Sequence, residues 1–246
     1  DDDEVAVIKQ EQVIVYDRFG NEVKKEVFKV DWDITAAEKS GYEHFMIKEI
    51  CEEPDVLRGV INSRIKDGKA DISDLSIVES EIANISKIFI VACGTAYHAG
   101  LVGKQIIEKL VRIPVEVDIA SEFRYKNPII NPGDLVIVIS QSGETIDTLF
   151  ALREAKRLGA KVLSIVNTVG SSIAREADNV FYTWAGPEIA VASTKAYNTQ
   201  LALLYLIALD LALKKGTIDH KTAEEIISEL KRVPVYLTYV ISNRGE

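Results

Sequence analysis

Residues 134–149, DLVIVISQSGETIDTL, combine two short segments of different chemical character. Residues 135–139 are an unbroken apolar run, whereas residues 140–145 are small, rich in hydroxyl groups and devoid of lysine and arginine. An apolar run without alternation is typical of a strand that is covered on both faces, as in a parallel sheet. Apolar residues at helical spacing follow from Ile146 to Ala155. The stretch therefore predicts a buried strand, a polar loop and a crossover helix in succession.

The same succession recurs along most of the chain after residue 87. Apolar runs predict strands at 88–92, 115–119, 135–139, 162–166 and 180–184. Helical patterns predict helices at 95–111, 144–158, 171–177 and 194–214, and only a short turn near Glu122 fills the second link. This alternation predicts an α/β fold, a five-stranded parallel doubly wound sheet flanked by helices. In such sheets, ligands bind outside the carboxyl ends of the strands, where the strand order reverses.

The segments before the sheet follow other patterns. Apolar and polar residues alternate within residues 1–35, which predicts an antiparallel β-hairpin. A hairpin alone is marginal in water, so we expect it to be a remnant of a larger sheet. Residues 42–65 have helical spacing, and Pro54 predicts either two helices or one kinked helix there. At the other end, residues 218–240 predict a helix that leads toward a part of the protein outside this chain.

The charge balance argues against two classes of partner. The 246 residues include 38 acidic and 29 basic side chains, for a net charge of −9. A broad basic surface for nucleic acid or for an anionic membrane is therefore not expected. The most apolar helical pattern, at 201–213, contains Asp210 and predicts a buried helix and not a membrane span.

The sulfur-containing residues are few. The two cysteines, Cys51 and Cys93, lie far apart and lack the spacing of a metal site, so we expect no metal and a reduced, cytoplasmic setting. The only methionine is Met46, so we expect the chain to be a piece of a longer protein.

The hydroxyl-rich loop after residue 139 has a functional and a structural interpretation. The first turn of a helix exposes unpaired N–H groups and a partial positive charge, so a phosphate there would meet backbone donors together with Ser140, Ser142 and Thr145. Gly143 would let the backbone approach closely. In the structural interpretation, Ser142 is the N-cap and Glu144 belongs to the first turn of the helix. The loop alone does not decide between the two.

Two other predicted strand ends carry similar loops. Residues 89–96, FIVACGTA, and residues 184–195, WAGPEIAVASTK, each lead from a strand through small residues into a helix. The three loops could form one edge of a cleft. None matches the dinucleotide pattern G-x-G-x-x-G or the nucleotide P-loop, so a small monophosphate is a better candidate ligand than a nucleotide, and no cofactor is expected.

Four other residues have weaker functional interpretations. Cys93 is more typical of a small core residue than of a nucleophile. His98 lies beside apolar neighbours and is expected to be packed. Lys195 could meet an anionic ligand, although a solvated lysine is the default. Glu188 is a conceivable base, but a loop carboxylate is the favoured interpretation.

Four stretches resemble one known family, the glutamine–fructose-6-phosphate aminotransferases (isomerizing), also called glucosamine-6-phosphate synthases. They are YEHFMIKEICEEPDVLRGVI at 42–61, CGTAYHAG at 93–100, SQSGETIDTL at 140–149 and EIAVASTKAYNTQ at 188–200. Together they span most of residues 42–200, in the family's order. SQSGET alone marks only a sugar isomerase (SIS) domain, whereas the HFMIKEI helix and the STKA loop are far more specific to the synthase.

The resemblance implies an enzyme that makes glucosamine 6-phosphate and glutamate from fructose 6-phosphate and glutamine. Such an enzyme has an N-terminal glutaminase domain, then two SIS domains that form the isomerase, and is usually a homodimer. By this resemblance, residues 1–35 are the closing strands of the glutaminase domain and residues 36–71 are a linker with leading helices. Residues 72–215 are then the first SIS domain, and residues 216–246 are a helix that leads to the second.

The resemblance also implies a set of sugar-phosphate contacts. These residues are Thr95, Ala96, Ser140, Gln141, Ser142, Thr145, Val191 and Ser193. Ala96 stands where serine is commoner in the family, so only a backbone contact is implied there. The family's isomerase glutamate, histidine and lysine, and its glutaminase cysteine, belong to parts outside this sequence. No catalytic residue is therefore expected in the chain, which should bind the sugar phosphate without turning it over.

Two alternative functions stay open at this point. One is a sugar-phosphate isomerase or deglycase built from SIS domains without a glutaminase. The other is a regulatory domain that senses a sugar phosphate. In transcription regulators such a domain would follow a basic helix-turn-helix segment, and here an acidic strand hairpin stands in that place.

Overall fold

A computed structural model of the protein describes residues 3–25, 38–72 and 79–243. The chain divides into two compact units, Asp1–Asp31 and Trp32–Glu246. The small unit is a three-stranded antiparallel sheet in the order β1-β2-β3, with β1 at Glu4–Ile8, β2 at Val13–Asp17 and β3 at Glu22–Val23. The predicted N-terminal hairpin is thus confirmed. The rest of that predicted segment, residues 26–35, lies outside the described residues.

The large unit begins with helix α1, Phe45–Ser63, which contains Pro54. Of the two predicted outcomes for this segment, the structure shows one helix. An antiparallel pair of two-residue strands follows, β4 at Ile65–Lys66 and β5 at Lys69–Ala70, and then the short helix α2 at Glu79–Asn84.

The main sheet of the large unit has five strands. They are β6 at Ile88–Ala92, β7 at Val115–Ile119, β8 at Leu135–Ser140, β9 at Lys161–Val166 and β10 at Asn179–Tyr182. All pairings are parallel, and the order is β10-β9-β8-β6-β7. In chain order this is 2-1-3-4-5, so the direction of winding reverses between β6 and β8. The predicted parallel doubly wound sheet is confirmed.

Helices connect and cover these strands. They are α3 at Gly94–Leu110, α4 at Ala120–Phe123, α5 at Ile146–Arg157, α6 at Ser172–Glu176, α7 at Lys195–Lys215 and α8 at His220–Ser242. One apolar cluster joins α1, α3, α7 and α8 to one face of the sheet, and a second cluster joins α4, α5 and α6 to the other face. Strand β6 supplies Ile88, Ile90 and Ala92 to the first cluster and Phe89 and Val91 to the second. This two-sided burial explains why its apolar run is unbroken.

Helix α7 lies at the centre of the first cluster. It is long and apolar enough to cross a membrane by length and composition, but 72% of its most apolar window is buried inside the protein. Its acidic residue, Asp210, forms an ion pair of 2.7 Å with Lys214 one turn later. These features are those of the buried core helix predicted from the sequence.

Most predicted elements have boundaries that differ by one to three residues from the structure, and two of these differences affect the loops at the carboxyl ends of the strands. Strand β10 ends at Tyr182, two residues before the predicted end, because Trp184 has a positive φ of 49° that is incompatible with a strand. Helix α5 begins at Ile146 and not at Glu144, since the loop before it turns back through Gly143 at a φ of 67°. The polar loop after β8 is therefore longer than predicted.

Candidate functional site

A cleft of about 420 Å³ opens at the carboxyl ends of β6 and β8. Its lining residues are Cys93, Gly94, Thr95, Ala96, Ile139, Ser140, Gln141, Ser142, Thr145, Val191, Ala192, Ser193 and Gln200. The cleft thus brings together all eight residues that the family resemblance implied as sugar-phosphate contacts. That they contact a ligand stays a prediction.

The winding of the sheet explains why two of the loops meet. Strands β6 and β8 are neighbours in the sheet, although β7 lies between them in the chain. Helix α3 leaves β6 toward one face, and α5 leaves β8 toward the other face. The two helices diverge from adjacent strand ends and leave a crevice between their N-terminal turns, which is the usual ligand position in a doubly wound sheet.

The loop between β8 and α5 is organised by its own hydroxyl groups. The Oγ of Ser140 accepts a hydrogen bond of 3.0 Å from the Gly143 N–H and lies 3.0 Å from the Oγ1 of Thr145. The Oγ of Ser142 accepts from the Glu144 N–H at 3.1 Å. The N-cap of α5 is Thr145, whose side chain makes no capping hydrogen bond. The interpretation of Ser142 as the N-cap is therefore wrong, and the first turn of α5 keeps its unpaired N–H groups toward the loop.

Helix α6 holds this loop from the opposite side. The Ile173 N–H donates to the Gly143 carbonyl at 3.0 Å, and the Ser172 N–H donates to the Glu144 Oε1 at 2.7 Å. The carboxylate of Glu144 is thus turned toward the start of α6, and it is not among the residues that line the cleft. A β-carbon added at Gly143 would lie 2.0 Å from the Ser171 Oγ, so only glycine fits there.

The loop between β6 and α3 contributes the second wall of the cleft. Cys93 is the N-cap residue of α3, is half-buried and lines the cleft while packing partly against the second apolar cluster. The interpretation of this cysteine as a small core residue therefore holds only in part.

His98 is exposed on α3, with its ring centroid 5.6 Å from that of Tyr97. The prediction that His98 is packed is wrong, because the residue falls on the outer side of the helix.

The third wall is the segment that leads from β10 into α7. Glu188 accepts hydrogen bonds from the N–H groups of Thr194 and Ala196 through its Oε1 and from the Ser193 hydroxyl through its Oε2, at 2.9, 3.1 and 2.9 Å. Glu188 is thus a loop carboxylate, as the favoured interpretation predicted, and it accepts from N–H groups at the start of α7 that have no acceptor within the helix. Lys195 is only 3% exposed and pairs with Glu52 at 2.7 Å. The default expectation of a solvated lysine is wrong.

Three carboxylates of α1 contact this third wall or the start of α7, and none of them was predicted from the sequence. The Oε1 of Glu49 accepts from the Ile189 and Ala190 N–H groups at 2.6 and 3.1 Å. Glu52 pairs with the ammonium of Lys195, and the Glu53 Oε2 accepts from the Asn198 Nδ2 at 2.8 Å. Their spacing of three and four residues on one helix face was the available signal.

The buried position of Glu53 changes its ionisation. Burial raises the pKa of its carboxyl above the ordinary value, the hydrogen bond from Asn198 opposes that rise, and the negative charge of Glu188 adds to it. The folded state therefore binds this proton more tightly than the unfolded state does. The resulting penalty on folding is absent below the unfolded pKa of about 4.3 and develops as the pH rises above it.

Replacing Glu53 with glutamine should therefore stabilise the protein near neutral pH. Glu53→Gln keeps an oxygen that can accept from Asn198 and removes the buried charge. We expect a higher free energy of unfolding than that of the wild type at about pH 7, and an advantage that disappears toward about pH 4. Denaturant unfolding at both pH values measures this. An advantage that grows on acidification would contradict the assigned direction of the pKa shift.

Gln200 is another lining residue that was not predicted from the sequence. It lies in the second turn of α7, is 1% exposed, and its Oε1 has no hydrogen-bond partner in the part of the chain that the structure describes. Within residues 3–25, 38–72 and 79–243, no group of three or more His, Cys, Asp or Glu side chains has the arrangement of a metal site. The functional groups that line the cleft are hydroxyls, side-chain amides, backbone groups and the thiol of Cys93.

Comparison with known proteins places this geometry in a family context. The SIS domain family matches residues 81–210. The glutamine–fructose-6-phosphate aminotransferase (isomerizing) of Caldanaerobacter subterraneus subsp. tengcongensis is 59% identical over 245 residues, which are 99% of this chain and 40% of that protein. The Clostridium tetani aminotransferase of the same name is 57% identical over 234 residues, 95% of this chain and 38% of that protein. The chain thus spans about 40% of the length of these curated relatives.

A solved structure agrees with these sequence matches. The C-terminal domain of glucosamine-fructose-6-phosphate aminotransferase from Francisella tularensis superposes with a TM-score of 0.76 at 40% identity, over 80% of this chain and 55% of that one. The segment matched by the SIS family, residues 81–210, contains the complete five-stranded sheet and every residue that lines the cleft. The chain belongs to the SIS domain family.

Proposed function

We propose that the cleft binds the phosphate and sugar of fructose 6-phosphate or glucosamine 6-phosphate. We further propose that the chain is the sugar-phosphate-binding part of a glutamine–fructose-6-phosphate aminotransferase. The observation that carries this proposal is the meeting of three hydroxyl-bearing loops at the point where the strand order reverses. The high identity to aminotransferases over nearly the whole chain, including the N-terminal hairpin, supports this parent enzyme over an isomerase without a glutaminase domain.

The electrostatics of the cleft suit a phosphate without any cationic side chain. The hydroxyls of Ser142 and Thr145 lie beside the uncapped N-terminal turn of α5. Backbone N–H groups in such a turn carry a partial positive charge and point along the helix axis toward an anion. The ammonium of the buried Lys195 is paired with Glu52 and does not line the cleft, so it does not contribute to binding a phosphate there.

Holding the substrate and reacting with it are separate tasks in this proposal. Moving a proton between adjacent sugar carbons needs a positioned acid and base. Among the described residues that line the cleft, none carries a carboxylate, an imidazole or an amine. We therefore expect the 246-residue chain to form no glucosamine 6-phosphate from fructose 6-phosphate and glutamine, as measured by product chromatography. Turnover by the purified chain that survives a second, independent purification would contradict this assignment.

The longer enzyme implied by the relatives completes the proposal. We infer that residues 1–35 end a glutaminase domain, that 36–71 link it to a first SIS domain at 72–215, and that 216–246 lead to a second SIS domain. The division of the chain near residue 31 and the SIS match at 81–210 support these boundaries. We infer a cytoplasmic homodimer without nucleic-acid or membrane partners. The net charge of −9 supports only the last part of this inference, because nucleic acids and anionic membranes attract basic surfaces.

The binding proposal is tested at the loop between β8 and α5. Ser142→Ala and Thr145→Val each remove a hydroxyl donor to a charged ligand, which is worth roughly 1.5–3 kcal/mol. We expect the affinity for fructose 6-phosphate to fall about ten- to a hundredfold in titration calorimetry. Ser228→Ala, at an exposed position of α8, is the matched control and should bind as the wild type does. Wild-type affinity in both loop variants would show that the phosphate does not bind here.

A further inference from the structure

The third wall of the cleft is held by an element that the SIS family match does not include. The segment 186–194 places Ser193 and the fully exposed Val191 along the cleft but belongs to no strand or helix. Because the segment forms no ladder or helix, side chains accept from several of its backbone N–H groups, and Glu188 of the segment itself accepts from that of Thr194. Those of Ile189 and Ala190 donate to one oxygen of Glu49, which lies on α1 and is 2% exposed. Helix α1, at Phe45–Ser63, lies before the matched residues 81–210.

Glu49 acts together with two neighbours on the same face of α1. Glu52 pairs with Lys195, the first residue of α7, and Glu53 accepts from Asn198 one turn further along. We call Glu49, Glu52 and Glu53 the α1 clamp. The clamp contacts both the loop and the helix that follows it, so α1 holds the middle of the third wall, whereas Asn167 holds its start at Gly186.

The loop between β8 and α5 is held differently. It is anchored by the Ile173 and Ser172 N–H groups of α6, on the opposite face of the sheet from α1. One side of the cleft is thus positioned by α6 and the other by α1. The phosphate contacts proposed above are on the α6 side, whereas Val191 and Ser193 on the α1 side are proposed to approach the sugar.

We propose that Glu49 and Glu52 are positioning residues that fix the spacing between these two sides, and that they thereby set the preference of the cleft for a sugar phosphate over a bare phosphate. This rests on the proposed function of the cleft. A charged carboxylate is suited to the task because it can accept from two N–H groups at once and binds them more strongly than a neutral acceptor does. The buried Lys195 in turn keeps Glu52 in place, because separating the pair would leave an uncompensated ammonium inside the protein.

The test compares two ligands and two substitutions in the 246-residue chain. Glu49→Gln keeps one acceptor oxygen, and Glu49→Ala removes both. Calorimetric titration with fructose 6-phosphate and with inorganic phosphate measures selectivity, and hydrogen exchange of the Ile189 and Ala190 amides measures the clamp itself. Asp55→Asn is the control, because Asp55 is an exposed carboxylate of α1 that pairs with Arg58 on the same helix.

We expect a graded loss of affinity that affects fructose 6-phosphate and not inorganic phosphate. Fructose 6-phosphate should bind about tenfold more weakly to Glu49→Ala, with Glu49→Gln between it and the wild type. Inorganic phosphate should bind all variants alike, and the two amides should exchange faster in the same order. An equal loss of affinity for both ligands would show general damage to the fold and would overturn the proposal. Unchanged selectivity between the two ligands, together with faster exchange of the two amides, would also overturn it.

The same experiment separates this inference from the function on which it rests. A wild-type chain that binds no sugar phosphate would overturn the proposed function. Hydrogen exchange would still test whether Glu49 holds the loop, because this measurement needs no ligand. If the Ile189 and Ala190 amides of Glu49→Ala were as protected as in the wild type, the α1 clamp would be disproved.

Discussion

Gly143→Ala is expected to lower the free energy of unfolding by about 2–5 kcal/mol and to abolish measurable binding of fructose 6-phosphate. Two effects combine at this position. The φ of 67° places a residue with a β-carbon in the left-handed region, which costs about 1–2 kcal/mol. The added carbon would also lie 2.0 Å from the Ser171 Oγ and 2.5 Å from the Ser171 Cβ, and overpacking of a closed site costs typically about 1–3 kcal/mol more. Denaturant unfolding followed by circular dichroism measures the sum.

Two further variants separate these effects. Gly159 also has a positive φ, of 89°, but a β-carbon added there would have nothing within 4 Å, so Gly159→Ala should show the backbone effect alone. Combining Gly143→Ala with Ser171→Gly removes the side chain that the new carbon meets, and it should recover the stability lost to overpacking. Equal losses in Gly143→Ala and Gly159→Ala would show that Ser171 does not restrict the loop. Such a result would contradict the account of why glycine is needed there.

Asn167→Leu is expected to destabilise the protein by about 2–4 kcal/mol, because buried partners lose their hydrogen bonds and unsatisfied groups cost about 1–3 kcal/mol each. Asn167 follows β9 and is 2% exposed. Its Nδ2 donates to the Gly186 carbonyl, and its Oδ1 accepts from the Thr183 hydroxyl and the Ala185 N–H, all at 2.8 Å. These bonds direct the chain from β10 into the third wall of the cleft. Fructose 6-phosphate binding should therefore weaken as well, as measured by calorimetry.

The control for this substitution lies on α1. Asn62 is exposed on that helix, and Asn62→Leu exchanges the same two side chains without removing a buried partner. It should change the free energy of unfolding by no more than about 0.5 kcal/mol. If Asn167→Leu changed the free energy of unfolding as little as Asn62→Leu, water would have to satisfy Gly186 and Ala185. Asn167 would then not be the residue that holds the chain between β10 and the third wall.

The strands and the loops that follow them were predictable because they depend on local patterns. The apolar run of β8 is unbroken since both of its faces are covered, and such a run is visible within a single short segment. The hydroxyl-rich loop after it is equally local. The start of α5 was misjudged because the turn at Gly143 depends on the packing of Ser171, which lies beyond α5 and β9 in the chain.

The burial of charged residues was the least predictable property. Lys195 looked like a surface lysine because its sequence neighbours are small and polar. It is buried because Glu52 meets it from α1, 143 positions earlier. The exposure of His98 was misjudged for the converse reason, because its apolar neighbours on α3 face the core while the histidine itself faces outward.

By itself, the sequence determined the strands, the crossover helices and the presence of neutral donors after three of the strands. These properties follow from the spacing of apolar side chains and from the chemistry of short segments. Only the tertiary structure decided that β6 and β8 are neighbours, that their loops share one cleft, and that the carboxylates of α1 hold its third wall. The physical reason is that those partners lie 140 to 145 positions apart, and only packing of the helices on the sheet brings them within hydrogen-bonding distance.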